Sequence, residues 1–459
     1  MSSRGQALLA IAVAAFVAAA GVFLDRSIGV RGRPAARSPA TTSGAWLCPH
    51  GGGPKDWTVT LEVANPGTDA ATLRVTSLGA EKPSRPKAYE VGPGATLAIP
   101  AEADGRGSSS FVEFFGSWVA VGWVAHAGGE ETGAAAEPCV RETAATRWFD
   151  ADGTSVEGED AYLIVMNPFG AQAIFDLVLY TKDRAPIRYS EWTRYSLPPR
   201  RSVAFLLNDQ ALDEAAVGAE LDVTRGRVAA SSLGVSTISG GIRSVIGTSG
   251  DPPQRTYLAV AGEGGQSTLT ALAPGLSQTQ FDATLLSGDP PQPADALTDQ
   301  RQGAQSAEGY QVLANGASAV DVVASGDGVI VSRRAAGLVN DTGSTGGVPG
   351  PAPAWVVMPT AACDPNIPGL ALVNPGDLPA EVTLHVLPRP GQPAPPDVTV
   401  SVPPARIMPG PKDFLAADPH AAILVTASTG TVIASGASSS CGLEGRSAFA
   451  VATGIPVPS

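Results

Sequence analysis

The stretch Leu163–Tyr180 reads LIVMNPFGAQAIFDLVLY and has the form of two β-strands joined by a turn. Its apolar and β-branched residues alternate with small or polar ones, as expected of strands that bury one face. Similar stretches begin at Leu61, Leu269 and Leu370. A pattern that recurs in this way indicates a repeated module rather than a single binding motif.

The copies follow one another at intervals of roughly 100 residues, which is the size of an immunoglobulin-like β-sandwich. An aromatic residue precedes each turn, and we expect it to fill the core of the sandwich. The four aromatic residues are Trp46, Trp148, Tyr257 and Trp355. Convincing helical periodicity is confined to the N-terminus, so the sequence predicts antiparallel strands nearly throughout.

The predicted fold class is all-β, with four tandem immunoglobulin-like β-sandwich modules after an N-terminal transmembrane or signal helix. The third module is divergent because Ala273 replaces the turn Asn and no Cys is present. The predicted boundaries are 1–26 for the anchor or signal peptide, 27–44 for a flexible tether, 45–141 for module 1, 142–250 for module 2, 251–340 for module 3, 341–352 for a linker and 353–459 for module 4.

The Asn-Pro pairs are turn residues in this interpretation. Proline fixes φ at the second turn position and keeps the preceding Asn extended, while the Asn side chain can bond the backbone two residues on. Gly67 and Gly376 then occupy a position that often needs positive φ, whereas Phe169 implies a type I turn. The repeated turn motif consists of Asn65, Pro66, Asn167, Pro168, Asn374 and Pro375.

The four cysteines are Cys48, Cys139, Cys363 and Cys441. None of them forms a C-x-x-C pair, so a zinc or thioredoxin site is not indicated. The first two lie in module 1 and the last two in module 4, and one disulfide per module would suit an oxidising compartment. The alternative is four buried free thiols in a cytoplasmic protein.

The segment Ala7–Leu24 carries no charge and is just long enough to span a bilayer. It also fits a signal peptide, but the apolar run continues beyond the Ala18–Gly21 cleavage site, which favours an uncleaved anchor. The arginines that follow favour a cytoplasmic body. We give precedence to the cysteines and predict a single-pass protein with its body on the extracytoplasmic side, secreted if the segment is cleaved.

The net charge of -13 disfavours nucleic acid as a partner, because an acidic surface repels phosphate. The four histidines are scattered, and no motif for a catalytic elbow, a P-loop or a zinc protease is present, so the sequence predicts no catalytic residue, metal or cofactor. One dense acidic segment lies between Asp150 and Asp160. It could supply oxygen ligands to Ca²⁺, but a solvated loop is the favoured interpretation.

The motifs WLCP at Trp46, EPC at Glu137 and RWFDADGT at Arg147, together with the repeated Asn-Pro turns, resemble an actinobacterial family of exported or membrane-anchored proteins of unknown function. The resemblance extends over most of residues 45–459 and is clearest in modules 1 and 2. It implies an extracytoplasmic location and a bridge between Cys48 and Cys139, and it supplies no catalytic residues.

The leading functional hypothesis is therefore a non-enzymatic, membrane-anchored protein of the cell envelope with a structural or protein-binding role. The alternative is an envelope glycan-binding protein that uses exposed Trp and Tyr side chains. That alternative requires an open face carrying Trp46, Trp118, Trp123 and Trp148. A third hypothesis, an enzyme, requires carboxylates or Ser and His side chains that converge in a pocket.

Overall fold

A computed structural model describes residues 42–129, 131–141, 145–238, 241–286, 292–293, 297–337, 341–360, 365–441 and 447–458. The predicted anchor and all but the last residues of the tether lie outside these ranges. Strands dominate the described residues, which confirms the all-β prediction. The helical elements described are one short helix, α1 (Lys412–Ala416), and two 3-10 turns. No described helix has the length and apolarity needed to cross a bilayer.

We name the strands in four groups, modules 1 to 4. Module 1 contains β1 (Ser43–Cys48), β2 (Thr58–Asn65), β3 (Ala71–Leu78), β4 (Lys87–Val91), β5 (Ala95–Ala101), β6 (Ser109–Phe115), β7 (Ala120–Ala127), β8 (Gly133–Pro138) and β9 (Val140–Arg141). Module 2 contains β10 (Arg147–Gly153), β11 (Glu159–Asn167), β12 (Ala173–Tyr180), β13 (Ile187–Arg188), β14 (Tyr195–Leu197), β15 (Arg201–Leu206), β16 (Val217–Arg225), β17 (Ala229–Ser236), β18 (Ile242–Ile246) and β19 (Thr248–Ser249).

Module 3 contains β20 (Arg255–Ala273), β21 (Thr279–Leu286), β22 (Gln292–Pro293), β23 (Gln300–Gln302), β24 (Ser306–Ala324), β25 (Ile330–Ala336) and β26 (Thr342–Thr345). Module 4 contains β27 (Ala354–Val357), β28 (Pro365–Asn374), β29 (Ala380–Leu387), β30 (Val398–Val402), β31 (Arg406–Pro409), β32 (Ala422–Thr429), β33 (Ile433–Cys441), β34 (Ser447–Thr453) and β35 (Ile455–Pro456).

Modules 1, 2 and 4 share one strand order in two antiparallel sheets. In module 1 the sheets run β4-β3-β6-β1-β9 and β5-β2-β7-β8. Modules 2 and 4 repeat this order as β13-β12-β16-β10-β19 with β15-β11-β17-β18, and as β30-β29-β32-β27-β35 with β31-β28-β33-β34. Most connections cross from one sheet to the other. The apolar faces of the two sheets pack on each other, so the core lies between them.

In modules 1, 2 and 4 the Trp before the turn lies in this core, as predicted, whereas Tyr257 of module 3 is buried against the core of module 4. Trp46, Trp148, Trp355 and Tyr257 are all at most 3% exposed. The indole N–H of Trp46 donates to the carbonyl oxygen of Val119 at 2.9 Å, and that of Trp355 donates to Val432 O at 2.7 Å. The rings of Trp46 and Trp355 therefore fill the core while their polar atoms stay bonded to backbone, which is how buried Trp is usually accommodated.

Module 3 departs from the order of its neighbours. Its strands β20 and β24 each run through 19 residues, and one bent seven-stranded sheet takes the place of two separate sheets. The buried guanidinium of Arg333 donates to the carbonyl of Leu258 and to the hydroxyl of Ser318, close to the register shift that follows Val260 in β20. The segment 341–352, expected to be a linker, contains β26, which pairs with β25.

The last long strands of the four modules, β8, β18, β26 and β34, pack against one another in a closed cycle. Small residues permit this approach: a Cβ added to Gly133, whose φ is +139°, would lie 2.5 Å from the backbone nitrogen of Ile242. The hydroxyls of Thr345 and Thr453 lie 2.9 Å apart where β26 meets β34. Residues 42–459 accordingly form one compact unit rather than an extended array.

An equivalent backbone hydrogen bond joins successive modules at the start of β5, β15 and β24. Ser202 N donates to Gly79 O at 3.0 Å, and Ala307 N donates to Thr181 O at 3.4 Å. The same position in module 1, Thr96 N, donates to Pro388 O of module 4 at 3.0 Å. This last bond joins the two modules that are farthest apart in the chain, so the seam between modules 4 and 1 closes the cycle.

Substitution of Thr96 by Val should weaken the closing seam. The Thr96 hydroxyl donates to Leu387 O at 2.7 Å and accepts from Ala422 N at 3.0 Å, and the side chain is fully buried. Valine would leave two buried backbone groups unpaired, so we expect the free energy of unfolding to fall by about 2–4 kcal/mol. Urea unfolding measures this loss of stability, and the exposed Thr72→Val serves as the control. Equal losses in the two variants would contradict the role of Thr96 in the seam between modules 4 and 1.

Candidate functional site: clefts between neighbouring modules

The three Asn side chains of the repeated turn make the same hydrogen bonds. Asn65 Nδ2 donates to Asp69 O at 2.7 Å and Val91 O at 3.2 Å, while its Oδ1 accepts from Gly67 N at 3.0 Å. The equivalent bonds of Asn167 and Asn374 have lengths between 2.8 and 3.2 Å. These are the backbone bonds of an Asx turn, and they tie the turn between β2 and β3, and its equivalents, to the neighbouring edge strand.

The glycines after two of these prolines have a backbone conformation different from the expected one. Neither Gly67 nor Gly376 has positive φ, so the expected left-handed conformation is wrong. Gly67 is instead required by close packing, because a Cβ there would lie 2.4 Å from Ser117 Oγ. In module 2 the position is open, and Phe169 occupies it with the guanidinium of Arg227 stacked 3.9 Å from its ring centroid.

The predicted bridge between Cys48 and Cys139 is present. It joins the end of β1 to the segment between β8 and β9, with the two Cα atoms 4.6 Å apart, and it closes a loop with a sequence separation of 91 residues. Both cysteines are buried. Cys363 lies outside the described residues, as does the Cys441 side chain, so the expected pairing of these two lies outside them as well.

The acidic segment from Asp150 to Asp160 is not a solvated loop. Asp150 and Asp152 are buried in β10, and Arg243 reaches this segment from β18. Arg243 Nη1 donates to Glu159 Oε2 at 2.7 Å, and its Nε lies 3.5 Å from Asp152 Oδ2. Among the described residues no group of three metal-ligating side chains converges, so the structure provides no support for calcium here. The carboxylates of Asp152 and Glu159 bind arginine instead.

Residues of modules 1 and 3 complete this buried charge network. Arg334 Nη2 donates to Asp152 O at 3.1 Å, and the Ser344 hydroxyl donates to Asp152 Oδ1 at 3.1 Å. Burial raises the pKa of Asp150 to about 7 and, assisted by the charges of Asp152 and Asp150, raises the pKa of Glu137 well above its usual value. Hydrogen bonds to Asp152 therefore link modules 2 and 3, and Glu137 brings a buried carboxyl of module 1 close enough to interact electrostatically with this group.

Sequence reasoning did not anticipate Arg243 or Arg334. Arg243 is the one basic residue of IRSVI, and Arg334 is the second of two adjacent arginines in IVSRRAA. Such a strand looks solvent-exposed when it is considered alone. The available signal was the mismatch between a dense acidic cluster and the absence of nearby basic residues in the sequence, since buried carboxylates are usually paired.

The aromatic platform required for the glycan-binding alternative is absent. All seven Trp and seven Tyr residues lie in the described ranges, and every one of these side chains is buried or half-buried. In particular, Trp46, Trp118, Trp123 and Trp148 are at most 8% exposed. The open face that the glycan-binding alternative requires is therefore not formed by these indoles, and their rings lie in the hydrophobic cores, as the favoured interpretation of the sequence had it.

An open cavity between modules 1 and 2, the first cleft, has a volume of about 710 Å³. Its walls are the β3–β4 loop, the β5–β6 loop and the outer strand β15 of module 2. Beside it, Arg106 stacks on the rings of Trp57 and Tyr162 and forms an ion pair with Glu131 at 2.5 Å. Arg106 therefore fixes module 2 against module 1 at the edge of this first cleft.

A second cleft, of about 530 Å³, occupies the equivalent seam between modules 2 and 3. The segment after β12, the loop before β16 and the outer strand β24 form its walls, in the same arrangement as the first cleft. Four acidic and two basic side chains line it: Asp183, Asp213, Glu214, Glu308, Lys182 and Arg334. The repeat thus produces similar polar clefts at two seams, each bordered by the outer edge of a sheet.

The seam between modules 4 and 1 contains a buried carboxyl group. Glu62 on β2 is 6% exposed, and burial raises its pKa to about 8 although the charge of Arg389 opposes the shift. Arg389 itself forms an ion pair with Asp418 at 3.2 Å. Glu62 is therefore protonated in the folded protein at pH 7 and must ionise inside the seam at higher pH.

This arrangement predicts that the protein loses stability as the pH rises. Glu62 binds its proton more tightly when folded than when unfolded, so its contribution is complete below about pH 4.5 and is lost progressively up to about pH 8. Each unit by which the two pKa values differ corresponds to about 1.4 kcal/mol. We expect Glu62→Gln to unfold at a higher urea concentration than the wild type at pH 9 but not at pH 4.

The exposed Glu90→Gln provides the matched control, because its carboxyl lies on the surface of β4. Urea titrations of the wild type and both variants at several pH values show whether the pH dependence of stability comes from buried Glu62 or from exposed carboxyl groups. A Glu62→Gln variant whose stability depends on pH as steeply as that of Glu90→Gln would contradict ionisation of Glu62 in the seam.

Comparison with known families identifies one match. Residues 112–308, from β6 to the first part of β24, are similar to a family of unknown function (DUF5719). The match includes all strands of module 2 and parts of modules 1 and 3, a shorter span than the expected 45–459. The resemblance to an uncharacterised family is therefore confirmed over these residues. No curated protein matches the chain.

Proposed function

We propose that the chain is a non-enzymatic protein of the cell envelope, anchored in the membrane by its N-terminal segment, with its body on the extracytoplasmic side. Its role would be structural or protein-binding, through the clefts between modules. The observation that carries this proposal is the recurrence of a polar cleft at two equivalent seams, each bordered by a sheet edge. Sheet edges and grooves of this kind are common sites of protein recognition.

The disulfide supports the proposed compartment. Bridges such as Cys48–Cys139 persist in extracytoplasmic proteins and are rare where thiols are kept reduced. The cycle of contacts supports a binding role because it holds both clefts on rigid sheets rather than on independent modules. A cleft with rigid walls binds a partner with less loss of conformational entropy than a mobile one.

The proposed orientation predicts the reactivity of a surface cysteine. Thr72 is exposed on β3, so Thr72→Cys places a thiol on the surface without touching a seam. We expect a membrane-impermeant maleimide to label this variant in intact cells with the outer layers removed, and the wild type to remain unlabelled. Labelling that appears only after the cells are lysed would place the body in the cytoplasm and contradict the proposal.

Binding through the clefts predicts position-dependent crosslinking in cells. A photoreactive amino acid would replace Lys82 in the first cleft or Lys182 in the second, and Thr72 would provide the control position. All three side chains are exposed, so incorporation should not disturb the fold. We expect discrete adducts in the envelope fraction from the cleft positions alone. Adducts of equal yield from all three positions, or from none, would contradict binding through the clefts.

A further inference from the structure

The outer strands of the four modules can be compared position by position, because each pairs with the strand that carries the repeated turn. In module 1, Thr96 is opposite Ala64 and Pro100 is opposite Thr60. In module 3, Ala307 is opposite Leu272 and Gln311 is opposite Thr268. Counted from the turn residues Asn65 and Ala273, these pairs are equivalent. Thr96 therefore corresponds to Ala307, and Pro100 corresponds to Gln311.

At the position of Thr96 and Ala307, the backbone N–H points away from the sheet to which the residue belongs. Thr96 N and Ala307 N both donate to the preceding module in the cycle. In an antiparallel strand, alternate residues direct their N–H and C=O groups to the same edge. The amides of Gly309 and Gln311 consequently point outward as well, into the second cleft that both residues line. No described backbone hydrogen bond reaches either amide from module 2.

Two of the four outer strands carry proline at these outward positions. Pro100 occupies the position of Gln311 in module 1, and Pro409, opposite Ala371, occupies the position of Gly309 in module 4. Proline removes the N–H group that an added strand would need, and it is a common means of protecting a sheet edge. The strand β24 carries no proline at either position, so its edge can accept a further strand.

The first cleft lacks this free edge. There a Cβ added to Gly107 would lie 3.1 Å from Ala204 N, which shows that the β5–β6 loop covers β15. Around Gly309, by contrast, a Cβ would meet only Thr268 Cγ2 of the same sheet, at 3.4 Å. Gly309 and Gln311 are both exposed. Of the two clefts, the second therefore offers the accessible backbone.

The charges that line the second cleft indicate the chemistry of its occupant. Lys182 Nζ pairs with Glu308 at 2.5 Å, and Arg184 pairs with Glu214 at 2.9 Å. Asp183 and Asp213 are exposed, and among the described residues neither has an ion-pair partner. The unpaired charge of the cleft is therefore negative, and an occupant that carries basic side chains would be attracted to it.

We propose that an extended segment of a partner polypeptide, rich in basic residues, binds in the second cleft as an added strand on the outer edge of β24. Its backbone pairs with Gly309 and Gln311, and its basic side chains approach Asp183 and Asp213. This mode of recognition takes affinity from main-chain hydrogen bonds and selectivity from alternate side chains. The inference rests on the proposed function and specifies the partner class of one of its two clefts.

The probe is a fluorescent peptide in which Lys or Arg alternates with Val, and its binding to the purified, oxidised full-length chain is measured by fluorescence anisotropy. We expect binding that weakens as salt is raised, because exposed charges are screened. Two matched probes complete the set: the same sequence with alternate amides N-methylated, and an analogue with Glu in place of each basic residue. We expect neither matched probe to bind at the concentration at which the first is saturated.

The decisive variants are Gln311→Pro and Gln311→Thr. The first copies the proline of module 1 and removes the outward N–H, whereas the second retains it. One lost hydrogen bond is worth about a tenfold change in Kd, so we expect Gln311→Pro to weaken binding about tenfold or more and Gln311→Thr to change it less than about threefold. Asp213→Asn should weaken binding of the basic peptide at low salt.

Several results would overturn the inference: no binding of the basic peptide, equal binding of the N-methylated peptide, or equal affinities of the two Gln311 variants. If Gln311→Pro fails to fold, as shown by its urea transition, the N-methylated probe and Asp213→Asn still decide the outcome. These results are independent of crosslinking at Lys82 in cells. Failure of the peptide with crosslinking retained at Lys82 would reject the added strand and leave the proposed function standing.

Discussion

Unpaired backbone groups at sheet edges are the constraint on which this structure depends. A sandwich of two open sheets leaves edge amides and carbonyls that must be bonded, covered or protected. Here one module completes the edge of the next through a recurring bond at Thr96, Ser202 and Ala307. Because the same bond recurs between modules 4 and 1, four modules of modest size share their interfaces and form one compact unit.

Two kinds of contact join the modules in the interior: close packing of small residues and a buried network of charged groups. Small residues in β8, β18, β26 and β34 let four strands meet closely, which excludes water from the centre. Close to that centre lies a network of Asp152, Glu159 and Arg243, which gains little stability from ionic attraction but loses much if one partner is removed. Such a network favours one relative placement of the modules, because any other would leave buried charges unpaired.

The individual modules could be predicted from the sequence more fully than the way they assemble. Strand periodicity and the recurring Asn-Pro turn are local signals, and so is the aromatic residue that precedes each turn, such as Trp46. The disulfide of Cys48 and Cys139 was predictable from position and family resemblance. By contrast, the pairing of Thr96 with Pro388 spans nearly the whole chain, and no local pattern encodes it.

The buried charge network and the clefts could be predicted from the sequence even less well than the assembly of the modules. Asp152 and Glu159 lie in a segment with the composition of a solvated loop, and only the approach of β18 and β25 reveals their arginine partners. The clefts are bounded by backbone and by loops from two modules, so no motif within one copy marks them. The contrast between Pro100 and Gln311 is visible in the sequence, but its meaning requires the strand register.

The cycle of contacts keeps the modules in space in their order along the chain and adds a junction between the last module and the first. Three junctions are crossed by the polypeptide and the fourth is held by non-covalent contacts alone, with Thr96, Leu387 and Ala422 at its centre. This junction carries the same backbone bond as the junctions between modules 1 and 2 and between modules 2 and 3. A circularly permuted gene that begins at another module would therefore encode the same set of neighbours.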